Sequence, residues 1–219
     1  MEDLGNHMPK STWSGEERAV LDQLNSPWKV QQYLDSLSYS TDNQTRSPRR
    51  VIRDRCAHCT EGAIFGSAAL RLHGHPPLIL DLRAVNDDDH VIAIYRVGKF
   101  VGAVAKSNFS GLRFREPIYR NYRELALSYF EQYFNVLGEK TLRSYSRPLN
   151  LSAFDERAWM TTEEDLEWIG EQLDALPHYP LVDERMARQL HPVDKRLYEA
   201  GLLGADPAGL FEPKASDER

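Results

Sequence analysis

The spacing of apolar residues divides the chain into helices towards both ends and strands between them. Helix starts are marked by Ser14 with Glu17, which form a capping box, and by serine–proline pairs at Ser26 and Ser47. Residues 60–72 are apolar on almost every side and rich in glycine and alanine, which predicts a buried and closely packed helix. We expect this helix to be the centre of the fold.

Strand-like segments follow the central helix, at residues 78–85, 90–97 and 100–107. The last two flank Gly98-Lys99, a glycine-first pair that suits a two-residue type II′ hairpin turn. Later segments predict a helix, a strand and a helix capped by Thr161, at residues 121–135, 141–146 and 161–176. Helices, then an antiparallel sheet, then helices indicate a single α+β domain.

Composition narrows the class of protein. The chain has 219 residues, 41% of them hydrophobic, and a net charge of −6. An acidic chain disfavours nucleic-acid binding, and no apolar run reaches the length of about 18 residues that a membrane helix needs. The segment MEDLGNHMPKSTWSGEER lacks a charged-then-apolar signal pattern, so we do not expect secretion by that route. We therefore expect a cytoplasmic enzyme or binding protein without cofactor or metal, whose oligomeric state the sequence leaves open.

The two cysteines, Cys56 and Cys59, lie close together in the segment RCAHCTEG. Cys59 is predicted to open the central helix, where free backbone N–H groups and the positive end of the helix dipole favour a thiolate. His90, at the start of a predicted strand, suits the role of base because imidazole titrates near neutral pH. These residues predict a cysteine nucleophile and its histidine base.

A third side chain usually orients the imidazole ring, and the hairpin decides which one is in reach. With a two-residue turn Ser107 lies opposite His90, whereas a three-residue loop or a bulge places Asn108 there. We favour Asn108, because its side-chain oxygen can accept the Nδ1–H bond, with Ser107 as the second choice. The oxyanion would be held by the nucleophile's own backbone N–H and a second donor, for which Gln44 is a candidate by its loop position.

The order of these residues resembles the transglutaminase-like branch of the papain-like cysteine enzymes. The resemblance covers roughly residues 26–110 and extends to segments of the type AHCTEGA, LILDLRA, DDDHVIA and ELALSYF. It implies a central helix packed on a small antiparallel sheet, with Cys59 as nucleophile and His90 as base. In this interpretation the chain consists of an N-terminal extension with the first helix, a transglutaminase-like core, and a C-terminal helical extension with a loose tail: residues 1–25, 26–150 and 151–219.

One position departs from the family pattern. In most members an Asp follows the histidine along the chain, close after a Trp, and here that position holds Ala105. Either Asn108 replaces the Asp from a shifted register, or the triad is incomplete. The predicted function is thiol-dependent amide chemistry, as a peptidase, amidase or acyltransferase, on a peptide, protein or small amide. The alternative is a catalytically inactive interaction module that binds a partner through the cleft or the Arg46–Arg55 face.

Other interpretations of the cysteines stay open. A redox pair of Cys56 and Cys59 needs an apolar strand before the motif, and the preceding SPRRVIRDR is too charged for one. A zinc site would add His73 and His75, but a His-Gly-His spacing does not place both imidazoles on one helical face. Both cysteines can also be small core residues.

Overall fold

The computed structural model describes residues 13–213. The start of the predicted N-terminal extension, residues 1–12, and the end of the predicted tail, from residue 214, lie outside the described residues. The helices are α1 (Gly15–Gln23), α2 (Pro27–Asp35), α3 (Pro48–Asp54), α4 (Cys59–Leu72), α5 (Tyr122–Leu127), α6 (Glu167–Asp174), α7 (Glu184–Ala187) and α8 (Lys195–Gly201). The strands are β1 (Ser38–Tyr39), β2 (Cys56–Ala57), β3 (Leu78–Ala84), β4 (His90–Val97), β5 (Phe100–Val104), β6 (Arg115–Tyr119), β7 (Leu142–Ser146), β8 (Leu149–Asn150) and β9 (His178–Pro180).

The main sheet is antiparallel, in the order β6-β5-β4-β3-β7-β9, and β8 pairs with β3. Strands β1 and β2 form a separate, parallel pair. The mixture of helices with an antiparallel sheet is therefore confirmed. Within residues 13–213 no helix has both the length and the apolar character required to cross a membrane.

Each face of the sheet carries its own apolar layer, because successive side chains of a strand point to opposite faces. Ile79 and Ala93 face the layer that contains α1, α2 and α4, whereas Leu80 and Ile92 face the layer beneath α5. Helix α4 lies directly on β4 and is buried over most of its length. The central helix predicted from the sequence is thus confirmed, and its first residue is Cys59.

The hairpin of β4 and β5 has the two-residue turn that the sequence predicts. Val97 pairs with Phe100, and Gly98 has the positive φ of 58° that the first position of a type II′ turn requires. The pairing ends at Val104, because the side-chain amide of Gln31 then binds both the N–H and the carbonyl of Ala105. The predicted strand over 100–107 is therefore three residues too long.

Two predicted helices differ from the structure. The helix predicted over 121–135 ends at residue 127, and the aromatic residues after it are fixed by tertiary bonds, such as that from the Tyr129 hydroxyl to the Arg113 carbonyl. The helix predicted to be capped by Thr161 begins at Glu167 instead, where the Asp165 carboxylate accepts the Glu167 N–H. The region after residue 150, predicted as helical, also contributes the strand β9 to the sheet.

Candidate active site

The start of α4 is fixed by a capping box. His58 is the N-cap residue, and its Nδ1 accepts the Thr60 N–H at 3.1 Å, while the Glu61 carboxylate accepts the His58 N–H at 2.7 Å. Glu61 is fully buried, and its charge is balanced by the Arg46 guanidinium at 2.9 Å. Breaking such a buried pair from one side costs about 3–5 kcal/mol, so Cys59 stands on a firmly held helix start.

Cys59 is partly exposed, in contact with groups that favour its ionised form. Burial by itself raises the pKa of the thiol, but hydrogen bonding with His58 and His90 and the charge of both rings outweigh it, so the pKa lies well below its usual value. In the thiol form the Sγ donates weakly to the Asp89 carbonyl at 3.7 Å. The site therefore favours a thiolate next to imidazolium.

His90 is buried at the first position of β4, where it pairs with Leu82 of β3. Its Nε2 lies 2.8 Å from the Leu112 carbonyl and must donate to it, because a carbonyl oxygen can only accept. The rings of Tyr129 and Tyr133 stand edge-on to the imidazole on either side. The ring is thus held in one orientation, with Nδ1 as the nitrogen left for the thiol.

His58 is a second imidazole at the thiol, and it is not among the site residues predicted from the sequence. Its Nε2 donates to the Gln44 carbonyl at 3.2 Å, so the neutral ring carries its proton there while Nδ1 accepts from Thr60. Burial lowers the pKa of His58, but hydrogen bonding to the Cys59 thiolate and the charges of that thiolate and Glu61 raise it to about 9. A protonated Nδ1 becomes a donor to the thiolate. The signal in the sequence is direct adjacency to Cys59.

The cavity at the thiol brings together four of the five predicted site residues: Cys59, His90, Ser107 and Asn108. The expected bond from Asn108 to His90 is absent, because both ends of the Asn108 amide are bound to the backbone of Asp206. Ser107 accepts the Phe109 N–H and so stabilises its own turn. The partner that orients His90 is the backbone carbonyl of Leu112. The residue types predict a side chain as the partner of His90, whereas in the structure this partner is a main-chain carbonyl.

Gln44, the predicted second oxyanion donor, lies on the surface near α3. The side chain is exposed, and its oxygen accepts from Arg50. Gln44 contributes its backbone carbonyl, which holds His58. An oxyanion donor would use the amide nitrogen of this side chain, so its role as the second donor stays a prediction.

The other groups proposed for the cysteines are separated by the fold. Cys56 lies in β2, and burial, as the main influence, raises the pKa of its thiol, opposite to the direction at Cys59. His73 follows the last residue of α4, whose 14 residues place it about 20 Å from Cys59. A zinc site combining Cys59 with His73 and His75 is therefore excluded by distance.

The loop before His90 forms one wall of the site. The Tyr133 hydroxyl donates to the Asp88 carbonyl at 2.7 Å and also reaches the Leu82 carbonyl, which fixes the loop to β3. Asp87 bonds to the Thr141 hydroxyl, and burial raises the pKa of its carboxyl to about 6. The acidic run is thus partly structural, and its backbone positions the carbonyl that contacts the thiol.

Comparisons with known proteins give little beyond this geometry. No protein-family profile matches the sequence, and no curated protein matches it either. Among solved structures, LapG of Legionella pneumophila in an EGTA-treated form is similar, with 18% identity over 44% of this chain and a TM-score of 0.33. The match spans 64% of LapG, less than two thirds of its length. A likeness at this level establishes neither a family nor an activity for this chain.

Proposed function

We propose that this protein performs thiol-dependent amide chemistry on a peptide, protein or small amide, from a papain-like core. The observation that carries the proposal is that Cys59 and His90 line one cavity, with the His90 Nε2 engaged by the Leu112 carbonyl. A thiolate held at a helix N-terminus beside an oriented imidazole has the parts of an activated nucleophile. The backbone carbonyl of Leu112 here takes the orienting role that a side chain has in many such sites.

The geometry supports a two-stage reaction. The Cys59 sulfur attacks the amide carbonyl carbon, the new C–S bond forms, and the C–N bond breaks as His90 gives its proton to the departing amine. Water then attacks the thioester as His90 takes one of its protons, a C–O bond forms and the C–S bond breaks, and the carboxylic acid departs, leaving the Cys59 thiolate beside the protonated His90. An amine in place of water gives acyl transfer. The oxyanion formed in each stage lies next to the Cys59 backbone N–H, which has no intrahelical acceptor at the first position of α4.

The test is the rate of Cys59 alkylation by iodoacetamide as a function of pH. The Cys56→Ala variant leaves Cys59 as the sole cysteine, and a second variant adds His90→Ala. We expect rapid alkylation well below the usual thiol pKa of about 8.5 in the first protein and its loss in the second. Hydrolysis of a mixed peptide library, followed by mass spectrometry, should then occur with Cys56→Ala and stop when Cys59→Ser is added.

Ordinary thiol reactivity in both variants would overturn the proposal. The alternative, a catalytically inactive interaction module, would then be favoured. It agrees with the presence of Ala105 where most transglutaminase-like enzymes have an Asp. Alkylation at low pH without cleavage of any peptide would retain the activated thiol and point to a small amide as substrate.

A further inference from the structure

Residues 205–211, here called the covering segment, follow α8 and lie against the candidate active site. Gly209 and Phe211 line the cavity that contains Cys59 and His90. Ala208 and Gly209 also line an open groove of about 410 Å³ that reaches Cys59. The cavity on the His90 side has a volume of about 40 Å³, which admits a few water molecules but no peptide residue. A larger ligand that enters this cavity, between Cys59 and His90, must displace the covering segment.

The covering segment is held by two hydrogen bonds between the side-chain amide of Asn108 and the backbone of Asp206. The Asn108 Nδ2 donates to the Asp206 carbonyl at 2.8 Å, and the Asn108 Oδ1 accepts the Asp206 N–H at 2.8 Å. Gln31 binds Ala105 in the same two-bond manner inside the core. The pair of hydrogen bonds between Asn108 and Asp206, here called the clamp, differs because Asp206 is exposed. The clamp can therefore open without disrupting the core. Such a pair recognises a peptide backbone of any sequence.

The Tyr39 ring leaves no room for a side chain at residue 209, three residues after Asp206. A Cβ atom at Gly209 would lie 2.6 and 2.7 Å from the Tyr39 ring atoms Cδ1 and Cε1, and 3.2 Å from the Asn108 Nδ2. Gly209 does not have a positive φ, so close approach, and not backbone conformation, demands the glycine. The Tyr39 backbone is held by its pairing with Ala57 in β2, so a Cβ at Gly209 would have to displace the ring itself. The groove therefore selects glycine at this position.

The residues between the clamp and the glycine form a preorganised turn. The Asp206 carboxylate accepts the Ala208 N–H at 3.0 Å, and the Gly209 N–H bonds to the Asp206 carbonyl at 3.0 Å. Pro207 occupies the first position of this 3₁₀ turn, where its fixed φ lowers the entropy lost on ordering. An Asp-Pro-x-Gly sequence thus meets the clamp and Tyr39 together.

We propose that the groove between Tyr39 and Asn108 is a binding site for an Asp-Pro-x-Gly turn of a polypeptide, and that residues 206–209 are its intramolecular occupant. The site opens on Cys59, so the inference rests on the proposed function for its consequence, which is control of access to the thiol. Binding itself requires no chemistry at the thiol. The segment stays tethered when displaced, because Ser110 anchors the Ala200 and Gly201 carbonyls at the end of α8.

The test measures binding of a fluorescent synthetic peptide of residues 203–213 to full-length protein by anisotropy. In Gly209→Leu the intrinsic occupant is excluded by Tyr39, whereas in the wild type it competes at a high effective concentration. We expect the peptide to bind Gly209→Leu at least about tenfold more tightly than the wild type. A control peptide with leucine in place of this glycine should bind neither, and adding Asn108→Ala should weaken binding by about tenfold or more, since two hydrogen bonds are lost.

Equal binding to wild type and Gly209→Leu, equal binding of both peptides, or no binding up to millimolar peptide would overturn the inference. Circular dichroism checks the fold of each variant. Gly209→Ala, which adds the Cβ alone, serves as the milder variant should Gly209→Leu misfold, with the same direction expected.

Iodoacetamide separates this inference from the proposed function. Cys59 should be alkylated faster in Gly209→Leu than in the wild type, and the added peptide should restore protection. Peptide binding without an activated thiol would refute the proposed function while the inference stands. An activated thiol that is equally accessible in both proteins and is not protected by the peptide would refute the inference alone.

Discussion

At the scale of single residues, the ionisation of the Cys59 thiol depends on two imidazole rings, those of His58 and His90, which are held in different ways. His90 is buried and fixed through Leu112, so its orientation is a property of the fold. His58 exchanges a hydrogen bond from Thr60 for one to the thiolate when it gains a proton. The thiolate is therefore stabilised by one neighbour in sequence and by one neighbour in space.

Replacing His58 by alanine should raise the pKa of the Cys59 thiol, because one source of positive charge and hydrogen bonding is removed. In a Cys56→Ala background, the acid limb of the alkylation profile should move to higher pH. In the Cys56→Ala protein that retains His58, we expect the alkylation rate to rise further near pH 9. There His58 loses its proton, and the thiolate loses a hydrogen-bond donor. Unchanged profiles would show that His58 serves the helix cap alone.

His73→Ala is the matched control, since it removes an imidazole from the far end of the same helix. Its profile should coincide with that of the parent.

The raised pKa of His58 also contributes stability to the folded protein. This contribution is complete below the ordinary pKa of 6.5 and is lost as the pH rises through about 9.

At the scale of elements, the position of α4 depends on small residues at its contact with the sheet. A Cβ at Gly62 would lie 2.3 Å from the Lys106 Cβ and 3.1 Å from the Lys106 backbone N. At Gly66 it would lie 2.9 Å from a Val104 methyl group. Close packing of the helix on β5 therefore fixes the distance between Cys59 and the segment that carries Asn108.

Gly62→Ala should destabilise the protein by about 1–3 kcal/mol, because the extra methyl must displace backbone as well as a side chain. Gly170→Ala is the matched control, since this glycine of α6 has no atom within 4 Å of the added Cβ. It should stabilise the protein by about 0.5–1 kcal/mol through higher helix propensity. Urea unfolding of the three proteins measures both effects, and similar midpoints for the two variants would contradict the packing argument.

At the scale of the whole molecule, the region after residue 150 is joined to the sheet beside the site. His178 of β9 bonds through Nε2 to the Asp81 carboxylate of β3 at 2.9 Å, 97 residues away along the chain. The other oxygen, Oδ1, is buried and has no hydrogen-bond partner among the described residues. Burial, as the largest influence, and the charge of Asp89 raise the pKa of Asp81 to about 6.

This shift predicts a specific pH dependence of stability. The folded protein binds the Asp81 proton more tightly than the unfolded chain, whose carboxyl titrates at 3.8, so wild type should gain stability over Asp81→Asn as the pH falls from 7 to 5. The difference in unfolding free energy should change by at most about 1.4 kcal/mol per pH unit. Urea unfolding of both proteins at the two pH values measures it, and parallel pH dependences would refute it.

Asp174→Asn is the control for the pH dependence. Asp174 lies close to Asp81 and Asp89 but is exposed, and its ion pair with Arg83 at 3.0 Å lies at the surface. Exposed pairs contribute about 0–1 kcal/mol, so this substitution should leave the pH dependence of stability close to that of wild type.

The sequence by itself determined the features that arise from neighbouring residues. The cap formed by Ser14 and Glu17 and the turn at Gly98 follow from hydrogen bonds and sterics within a few positions, and the structure contains both. The placement of Cys59 at the start of α4 belongs to the same class. Local chemistry fixes these features whatever the rest of the chain does.

Only the tertiary structure decided which groups meet across the chain. The partner of His90 is the backbone carbonyl of Leu112, and every residue carries such a carbonyl, so no residue type could reveal it. Asn108 has the expected chemistry, but Asp206, 98 residues away, takes both ends of its amide. Side-chain type limits what a group can bind, whereas its partner is chosen by which backbone the folded chain brings within hydrogen-bonding distance.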